Sequence, residues 1–244
     1  MASVGRKVRD VWQRFLLPTE VRRTIDEVRK RRLTYLSESR LLQLARLCCE
    51  NEKARTPGLI IEAGCALGGS STVICAAKNR DRKFLVYDVF GMIPPPSNKD
   101  GIDVHERFEL IRSGKAKGIR DDLYYGYRSD LHEAVKNSLA AFGFPIELNK
   151  VSLVKGLLQD TLHVREAVSL AHIDVDWYEP VKTAIERIEP NLVPGGSIVI
   201  DDYNDWSGCR RAVDDYMSTK PSSYYALNSS AGSLVITKAG YPLR

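Results

Sequence analysis

The sequence of 244 residues lacks the features that mark several classes of protein. No apolar run approaches the roughly 18 residues of a membrane-spanning helix, and residues 1–7 lack the apolar segment of a signal peptide. The five cysteines contain no Cys-x-x-Cys pair, which argues against a cysteine-based metal site. A chain of this length also needs no disulfide framework to fold. We therefore expect a cytoplasmic protein with reduced cysteines and no membrane span.

The sequence also has little excess of charge of either sign. It carries 36 Lys and Arg against 31 Asp and Glu, a net charge of +5. Proteins that bind nucleic acids usually concentrate more basic charge on one face, so this balance neither implies nor excludes a nucleic-acid partner, and we expect none. The basic residues that stand out lie in 22–32. A solvated helix face is the simpler interpretation of that cluster, and a patch for an anionic substrate or a partner subunit is the alternative.

Short apolar runs alternate with helical patterns from residue 58 onward. The runs that predict strands cover residues 59–64, 84–89, 151–155, 169–174, 197–201, 224–227 and 233–237. About five residues separate the last two runs, which indicates an antiparallel hairpin. The alternation predicts an α/β fold with a doubly wound, mostly parallel, seven-stranded sheet that ends in this hairpin.

We predict that residues 1–244 form a single domain with two additions to its cofactor-binding core at 58–238. Residues 1–57 read as a helical N-terminal extension, which is also a candidate interface for a homo-oligomer. Residues 90–128 contain three consecutive prolines and several glycines, and no clear helix occurs before residue 131. Long segments without regular structure are usually functional. We interpret this insertion as a lid over the active site; the alternative is a peripheral helical insertion.

A turn that contains glycine follows the first predicted strand, at residues 62–70. Glycine lets a ligand approach the backbone, and the helix that follows presents free N–H groups. The turn departs from the dinucleotide-binding fingerprint, because Ala66 stands where the second glycine would be. Asp88, at the end of the second strand, is placed to accept both hydroxyls of a ribose. Together these features favour an adenosine-containing ligand over a turn that serves only helix packing.

Four aspartates follow two consecutive strands, with Asp174 and Asp176 after one and Asp201 and Asp202 after the next. Carboxylates that converge at one sheet edge repel each other unless a cation neutralises them. Oxygen ligands suit Mg²⁺, or Mn²⁺ or Ca²⁺ in its place, better than zinc. Asp174, Asp201 and Asp202 would hold the ion, which leaves Asp176 as a base. Strand alternation should turn His172 away from these carboxylates. The alternative to a metal site is that Asp201 or Asp202 only caps the next helix.

These motifs, in this order, resemble the TylF-type macrocin O-methyltransferase family. The resemblance rests on the pattern Asp-x-Asp-x-Tyr-Glu at 174–179 and on Pro-Gly-Gly-x-x-x-x-Asp-Asp-Tyr at 194–203. Residues 33–37, 124–131 and 208–216 are also similar to segments of the family. The similarity extends over about residues 33 to 238.

The resemblance implies a Rossmann-like class I methyltransferase that depends on S-adenosylmethionine and Mg²⁺. Its expected substrate is a sugar hydroxyl of a glycoside, a glycosylated natural product or a polysaccharide, so the partner would be a sugar-containing small molecule or an oligosaccharide. Carried over by position, Asp174, Asp201 and Asp202 would be metal ligands and Asp176 the general base. The residues implied for the cofactor site are Thr34, Tyr35, Glu62, Gly64, Gly68, Ser70, Asp88, Gly156 and Asp174.

Three other functions stay open at this stage. A metal-dependent O-methyltransferase of catechol-like acceptors would use the same carboxylates with a flat aromatic pocket. A dinucleotide-dependent oxidoreductase would bind NAD(P)H at the glycine turn. A nucleic-acid-binding module that uses the basic N-terminal residues would bind RNA in a strongly salt-dependent way.

Overall fold

A seven-stranded sheet runs through the computed structural model, which describes residues 14–229 and 231–240. The strands are β1 (Leu59–Ala63), β2 (Phe84–Asp88), β3 (Val151–Lys155), β4 (Val168–Ile173), β5 (Leu192–Ile200), β6 (Tyr225–Asn228) and β7 (Leu234–Lys238). Their order across the sheet is β3-β2-β1-β4-β5-β7-β6. β1 to β5 are parallel, and β7 pairs antiparallel with both β5 and β6. This arrangement confirms the predicted doubly wound sheet with its terminal antiparallel hairpin.

The central strands are short and almost wholly apolar because helices cover both faces of the sheet. Every residue of β1 and of β4 is buried, whereas β3, at the edge, has exposed positions. The helices are α1 (Thr19–Lys30), α2 (Glu38–Lys53), α3 (Gly69–Ala77), α4 (Ile102–Arg112), α5 (Leu131–Ala141), α6 (Leu158–Thr161), α7 (Tyr178–Ile188) and α8 (Ser207–Met217). Within the described ranges, no helix is both long and apolar enough to cross a membrane.

Two hydrophobic cores hold these layers together. On one face, α1, α2, α3 and α5 pack in a core that includes Ile25, Leu41 and Val73. On the other face, α7 and α8 pack in a core that includes Ile185 and Val213. The N-terminal helices therefore share a core with the sheet. Most basic residues of 22–32 are exposed and several are ion-paired, as Arg29 is with Glu38 and Arg31 with Glu27, which agrees with a solvated helix face.

The insertion at 90–128 is partly helical, so the expectation of no helix before residue 131 was wrong. It contains α4 and two short 3₁₀ turns, Ile119–Asp121 and Tyr125–Tyr127. Only Val104 and Ile111 of α4 are fully buried. Two buried positions seven residues apart make too thin an apolar stripe to stand out in a sequence pattern.

Two carboxylates tie this insertion to the helices that follow β4 and β5. Asp100 accepts a hydrogen bond from the backbone N–H of Tyr178, at the start of α7, at 2.7 Å. Asp103 accepts one from the N–H of Ser207, at the start of α8, at 2.9 Å. Free N–H groups at a helix N-terminus are satisfied well by a carboxylate. The insertion is thereby held against the sheet edge where the four aspartates lie.

Candidate functional site

Two adjoining cavities lie at the carboxyl ends of the parallel strands. The first has a volume of 360 Å³ and the second of 230 Å³. The residues that line both are Gly64, Asp88, Tyr125, Asp174, Asp176 and Trp177. The first cavity is walled mostly by apolar side chains, among them Val89, Leu157 and Leu158. The shared wall brings an apolar cleft next to a group of carboxylates.

The turn after β1 is built on Gly64, whose φ is +85°. A Cβ atom at this position would lie 1.9 Å from the carbonyl oxygen of Asp174, so the ends of β1 and β4 approach too closely for any side chain. The backbone N–H of Asp174 also donates to the carbonyl of Ala63 at 2.8 Å. Glycine at 64 therefore places the backbone of Asp174 directly against the turn.

Asp88 holds together two loops of the site. Its Oδ2 accepts hydrogen bonds from the N–H groups of Cys65 at 2.8 Å and Ala66 at 3.1 Å, and its Oδ1 accepts one from Phe90 at 2.7 Å. Burial raises the pKa of this carboxyl. Ala66 and Phe90 both have left-handed backbone angles, with φ of +46° and +48°. Such strained residues are held in place by contacts like those of Asp88.

The other residues predicted for the cofactor site fall into two groups. Gly156 lines the first cavity and Tyr35 lines the second. The remaining four line neither cavity: Thr34, Glu62, Gly68 and Ser70. Of these, Gly68 has a φ of +81° and precedes α3, where its backbone approaches a side chain of α5. Of the nine residues that the resemblance implies for the cofactor site, five therefore line a cavity and four do not.

Glu62 belongs to a fully buried network beneath the cavities. It accepts a hydrogen bond from the hydroxyl of Ser71, and its Oε1 lies 3.0 Å from Nδ1 of His172. Burial opposes a charge on the imidazole, but the hydrogen bond and the charge of Glu62 raise the pKa of His172 to about 9. His172 is thus turned away from the aspartates, as predicted. The network links β1, α3 and β4 under the site.

Three carboxylates come together at the shared wall. One oxygen from each of Asp174, Asp176 and Asp202 lies within 4.8 Å of the others. Burial is the main cause that raises the pKa of all three, and the negative charge of nearby Asp201 adds to the rise in each. Oδ2 of Asp202 is buried without a hydrogen-bond partner in the part of the chain that the structure describes. A buried, unpaired oxygen among close carboxylates fits a hard divalent cation.

The fourth aspartate stands apart from this group, which differs from the predicted ligand set. Oδ2 of Asp201 accepts a hydrogen bond from Arg40 at 2.7 Å, and its Oδ1 accepts one from Ser233 at 2.8 Å. β5 ends in a 3₁₀ turn at Asp201–Asn204, which sends successive carboxylates in different directions. Asp176 takes the place in the cluster that the sequence predicted for Asp201. The first N–H of α8 is bound by Asp103, so the helix-capping alternative finds no support.

Asp176 is held in a strained turn. Its φ is +56°, and the N–H of Trp177 donates across it to the carbonyl of Val175 at 2.6 Å. The indole N–H of Trp177 donates to the carbonyl of Pro94 at 3.0 Å, and its ring lies 5.7 Å from that of Trp206. Strain of this kind persists where surrounding contacts enforce it, and it is concentrated at functional sites.

The sequence did not predict several residues that line the second cavity. They are Leu36, Arg40, Arg107, Ile111, Trp177 and Trp206, of which Leu36 and Trp177 lie within segments that carry the family resemblance. Trp177 is adjacent to Asp176, so its position beside a predicted site residue was a usable signal. Arg40 lies 161 residues before its partner Asp201, and nothing local in the sequence links the two. Tyr124 and Tyr125 also line the cavity, within a segment that the resemblance had already singled out.

Comparison with solved structures identifies the fold. The O-methyltransferase NovP has a TM-score of 0.69 at 21% identity, with 84% of this chain and 82% of that chain covered. The calicheamicin methyltransferase CalS11 has a TM-score of 0.60 at 17% identity, with 96% and 91% covered. The structure therefore has the Rossmann-like class I methyltransferase fold, as predicted.

Two curated relatives come from Streptomyces. The 8-demethyl-8-(2,3-dimethoxy-alpha-L-rhamnosyl)-tetracenomycin-C 4'-O-methyltransferase of Streptomyces olivaceus is 31% identical over 166 residues, which are 66% of this chain. The demethyldecarbamoylnovobiocin O-methyltransferase of Streptomyces niveus is 26% identical over 182 residues, which are 72% of this chain. The aligned regions span 58% and 64% of these two relatives' lengths.

The match to a protein family extends over most of the sequence. Residues 4–222 match the macrocin-O-methyltransferase (TylF) family. This range includes the turn after β1, the insertion and all four aspartates of the site. The chain therefore belongs to the macrocin-O-methyltransferase (TylF) family.

Proposed function

We propose that this chain is an S-adenosylmethionine-dependent O-methyltransferase that methylates a hydroxyl group of a sugar-containing acceptor. The observation that carries the proposal is the shared wall, where Gly64, Asp88 and Asp174 line both the apolar cavity and the carboxylate cavity. A methyl donor in the first cavity would then face an acceptor in the second. The name of the S. olivaceus relative, which describes methylation of a rhamnosyl-tetracenomycin, supports an acceptor that carries a sugar.

The first cavity suits the adenosine part of the cofactor. Val89, Leu157 and Leu158 offer apolar surface for a planar base. Asp88, at the end of β2, is in the position where a carboxylate accepts the hydroxyls of a ribose. The turn at Gly64 follows β1, which lies between β2 and β4, and Gly64 lines both cavities. With the ribose at Asp88, the amino-acid part of the cofactor would pass this turn and extend toward Tyr35 in the second cavity.

A divalent cation, Mg²⁺ in our proposal, would be held by Asp174 and Asp202. Mg²⁺ is usually bound by one or two carboxylates together with water or substrate oxygens, so two protein ligands suffice. When bound, the ion lowers the pKa of a hydroxyl that coordinates it. Asp201 is left out of the ligand set because its oxygens are directed toward Arg40 and Ser233 and it does not belong to the cluster of Asp174, Asp176 and Asp202.

Asp176 would accept the proton of the acceptor hydroxyl. It lies in the same cluster as Asp174 and Asp202, and its raised pKa brings the carboxyl nearer to the range of a useful base. A hydrogen bond with Asp202, the charge of Arg107 and a hydrogen bond from Trp206 oppose that rise. General-base catalysis typically contributes about 10²–10⁴-fold. Alignment of the methyl donor with the acceptor oxygen can supply a further ~7–11 kcal/mol.

The insertion would serve as the lid of this site. Its residues Arg107, Ile111, Tyr124 and Tyr125 form one wall of the second cavity. A wall of this kind excludes water from the reacting groups and completes the site around a bound acceptor.

Three further expectations stay predictions from the sequence. They are the single-domain organisation, the cytoplasmic location and a homo-oligomer formed through α1 and α2.

A catechol-like acceptor is the second candidate, because aromatic rings line the acceptor cavity. The rings belong to Tyr35, Tyr124, Tyr125, Trp177 and Trp206. Aromatic side chains stack on flat phenolic rings as well as on the apolar faces of sugars. The residues that line the cavity are therefore compatible with both acceptor classes, and turnover decides between them.

The test is a methyl-transfer assay with purified protein, S-adenosylmethionine and a panel of rhamnosides, other glycosides and simple catechols. We expect S-adenosylhomocysteine to form with glycosides, to increase with added Mg²⁺ and to disappear with a chelator. Preferred turnover of catechols would favour the second candidate. Calorimetric binding of NAD(P)H in place of S-adenosylhomocysteine would contradict methyl transfer altogether.

A further inference from the structure

One arginine of the second cavity, Arg107, makes no hydrogen bond or ion pair with an acidic residue in the part of the chain that the structure describes, although its charge lowers the pKa of nearby Asp176. Arg40 and Arg107 both line this cavity, but Arg40 is paired with Asp201 and Asp205. Arg107 forms no hydrogen bond and no ion pair with any residue in ranges 14–229 and 231–240. A guanidinium has five N–H donors and stays charged at any physiological pH. Its donors are therefore available to a ligand in the cavity.

The position of Arg107 is fixed by its helix. Asp103, Arg107 and Ile111 are spaced by four residues and so share one face of α4. Asp103, the natural partner for Arg107 at this spacing, is bound instead to the N–H and hydroxyl of Ser207. Ile111 is buried and lines the cavity beside Arg107. The helix is thus anchored on both sides of the arginine, with this face toward the site.

An aromatic ring supports the guanidinium. The Cζ atom of Arg107 lies 5.7 Å from the ring centroid of the buried Tyr124. An arginine over an aromatic face is weakly hydrated and keeps its planar edge free for a bidentate contact. That edge matches the two oxygens of a carboxylate or phosphate group.

We propose that Arg107 is the anion-binding residue of this site and that it takes a carboxylate or phosphate group of a bound ligand. The inference rests on the proposed function, because it requires methyl donor and acceptor to meet at the shared wall. Two sources offer this chemistry there. One is the carboxylate on the amino-acid part of S-adenosylmethionine, and the other is an acidic group on the acceptor, such as a uronic acid or a sugar nucleotide.

The first measurement tests by calorimetry whether Arg107 binds the carboxylate of the cofactor. S-adenosylhomocysteine carries the carboxylate, whereas 5'-methylthioadenosine lacks the entire amino-acid part. If Arg107 binds the cofactor, Arg107→Met should weaken the binding of S-adenosylhomocysteine at least tenfold. The affinity for methylthioadenosine should stay within twofold of the wild-type value. Arg107→Lys keeps the positive charge but loses the planar guanidinium. Its affinity for S-adenosylhomocysteine should therefore lie between those of the wild type and Arg107→Met. Arg112→Met is the matched control on the same helix, because Arg112 is exposed and, among the described residues, is paired only with Glu109.

The second measurement separates the acceptor source by kinetics. If Arg107 binds the acceptor, Arg107→Met should raise KM at least tenfold for acidic glycosides or sugar nucleotides and leave KM for neutral glycosides within twofold. The affinity for S-adenosylhomocysteine should then stay at the wild-type value. Uronic-acid glycosides and sugar nucleotides, assayed separately, show whether the group is a carboxylate or a phosphate.

Two results would overturn the role of Arg107. One is that Arg107→Met changes neither the S-adenosylhomocysteine affinity nor the ratio of KM for acidic to neutral acceptors. The other is that the substitution weakens the binding of S-adenosylhomocysteine and of methylthioadenosine equally, which would indicate that Arg107 only packs in the site. Failure of the wild-type protein to bind S-adenosylhomocysteine would instead overturn the proposed function, and this inference with it.

Discussion

Nη1 of Arg40, on α2, lies 2.7 Å from Oδ2 of Asp201, at the end of β5. The pair is largely buried, with side-chain exposures of 16% and 5%. A buried carboxylate that is paired in this way is neutralised and held in one orientation. The N-terminal helices therefore determine which of the four aspartates remain available at the site.

Substitution of the two neighbouring aspartates should separate their roles. We expect Asp202→Asn to weaken Mg²⁺ binding at least tenfold, since Oδ2 of Asp202 is buried in the cluster without a hydrogen-bond partner among the described residues. Asp201→Asn should leave Mg²⁺ affinity within about threefold and lower the melting temperature, because it weakens the contact with Arg40. Calorimetric Mg²⁺ titration and thermal unfolding of both variants check this. Equal loss of Mg²⁺ affinity would restore Asp201 to the ligand set.

Asp176→Asn should reduce kcat by about 10²–10⁴-fold and leave the affinities for Mg²⁺ and S-adenosylhomocysteine near wild type. The reason is that the amide keeps the shape of the side chain but accepts no proton. Steady-state kinetics with calorimetry measure the three quantities. A large loss of Mg²⁺ affinity would show that Asp176 is a metal ligand, a role that its place in the cluster also allows.

Gly64→Ala should abolish cofactor binding and destabilise the protein, and Gly143→Ala is a control with matched backbone geometry. Both glycines have a φ of +85°. A Cβ at 143 meets nothing within 4 Å, whereas a Cβ at 64 would overlap the carbonyl oxygen of Asp174 at 1.9 Å. The control isolates the backbone cost of about 1–2 kcal/mol for a left-handed residue. Similar unfolding free energies for the two variants would contradict the close approach of β1 and β4.

Glu189 should contribute stability that depends on pH. It accepts hydrogen bonds from Lys220 at 2.7 Å, from Tyr216 at 2.8 Å and from Tyr225. Burial alone would raise the pKa of Glu189, but these donors lower it from 4.5 to about 2. A carboxyl with a lowered pKa stabilises the fold fully above pH 4.5, and this contribution is lost as the pH falls through about 2.

Thermal unfolding of Glu189→Gln checks this expectation. At pH 7 the variant should melt roughly 5–10 °C below wild type, since a hydrogen-bonded charge typically contributes ~1.5–3 kcal/mol. The difference should shrink as the pH is lowered from 4.5 toward 2. Glu147→Gln, at an exposed position, is the control and should melt like wild type at both ends of the range. A difference that is independent of pH would contradict the role of the ionised carboxylate.

The strands and the carboxyl-edge motifs were predictable because their signals are local. Buried strands such as β1 and β4 are continuous apolar runs, and parallel strands end at one edge of a sheet. The position of Asp88 followed from the same rule. α4 was missed because its two buried positions, Val104 and Ile111, form too weak a pattern.

The sequence by itself determined the doubly wound sheet, the need for glycine at the turn after β1 and the presence of four aspartates at one edge. Only the tertiary structure decided that Asp176 joins Asp174 and Asp202 while Asp201 binds Arg40. The physical reason is that side-chain direction beyond a strand end depends on the turn that follows, here a 3₁₀ turn after β5. Partners 161 residues apart meet only when helices pack on the sheet, and no local pattern records that contact.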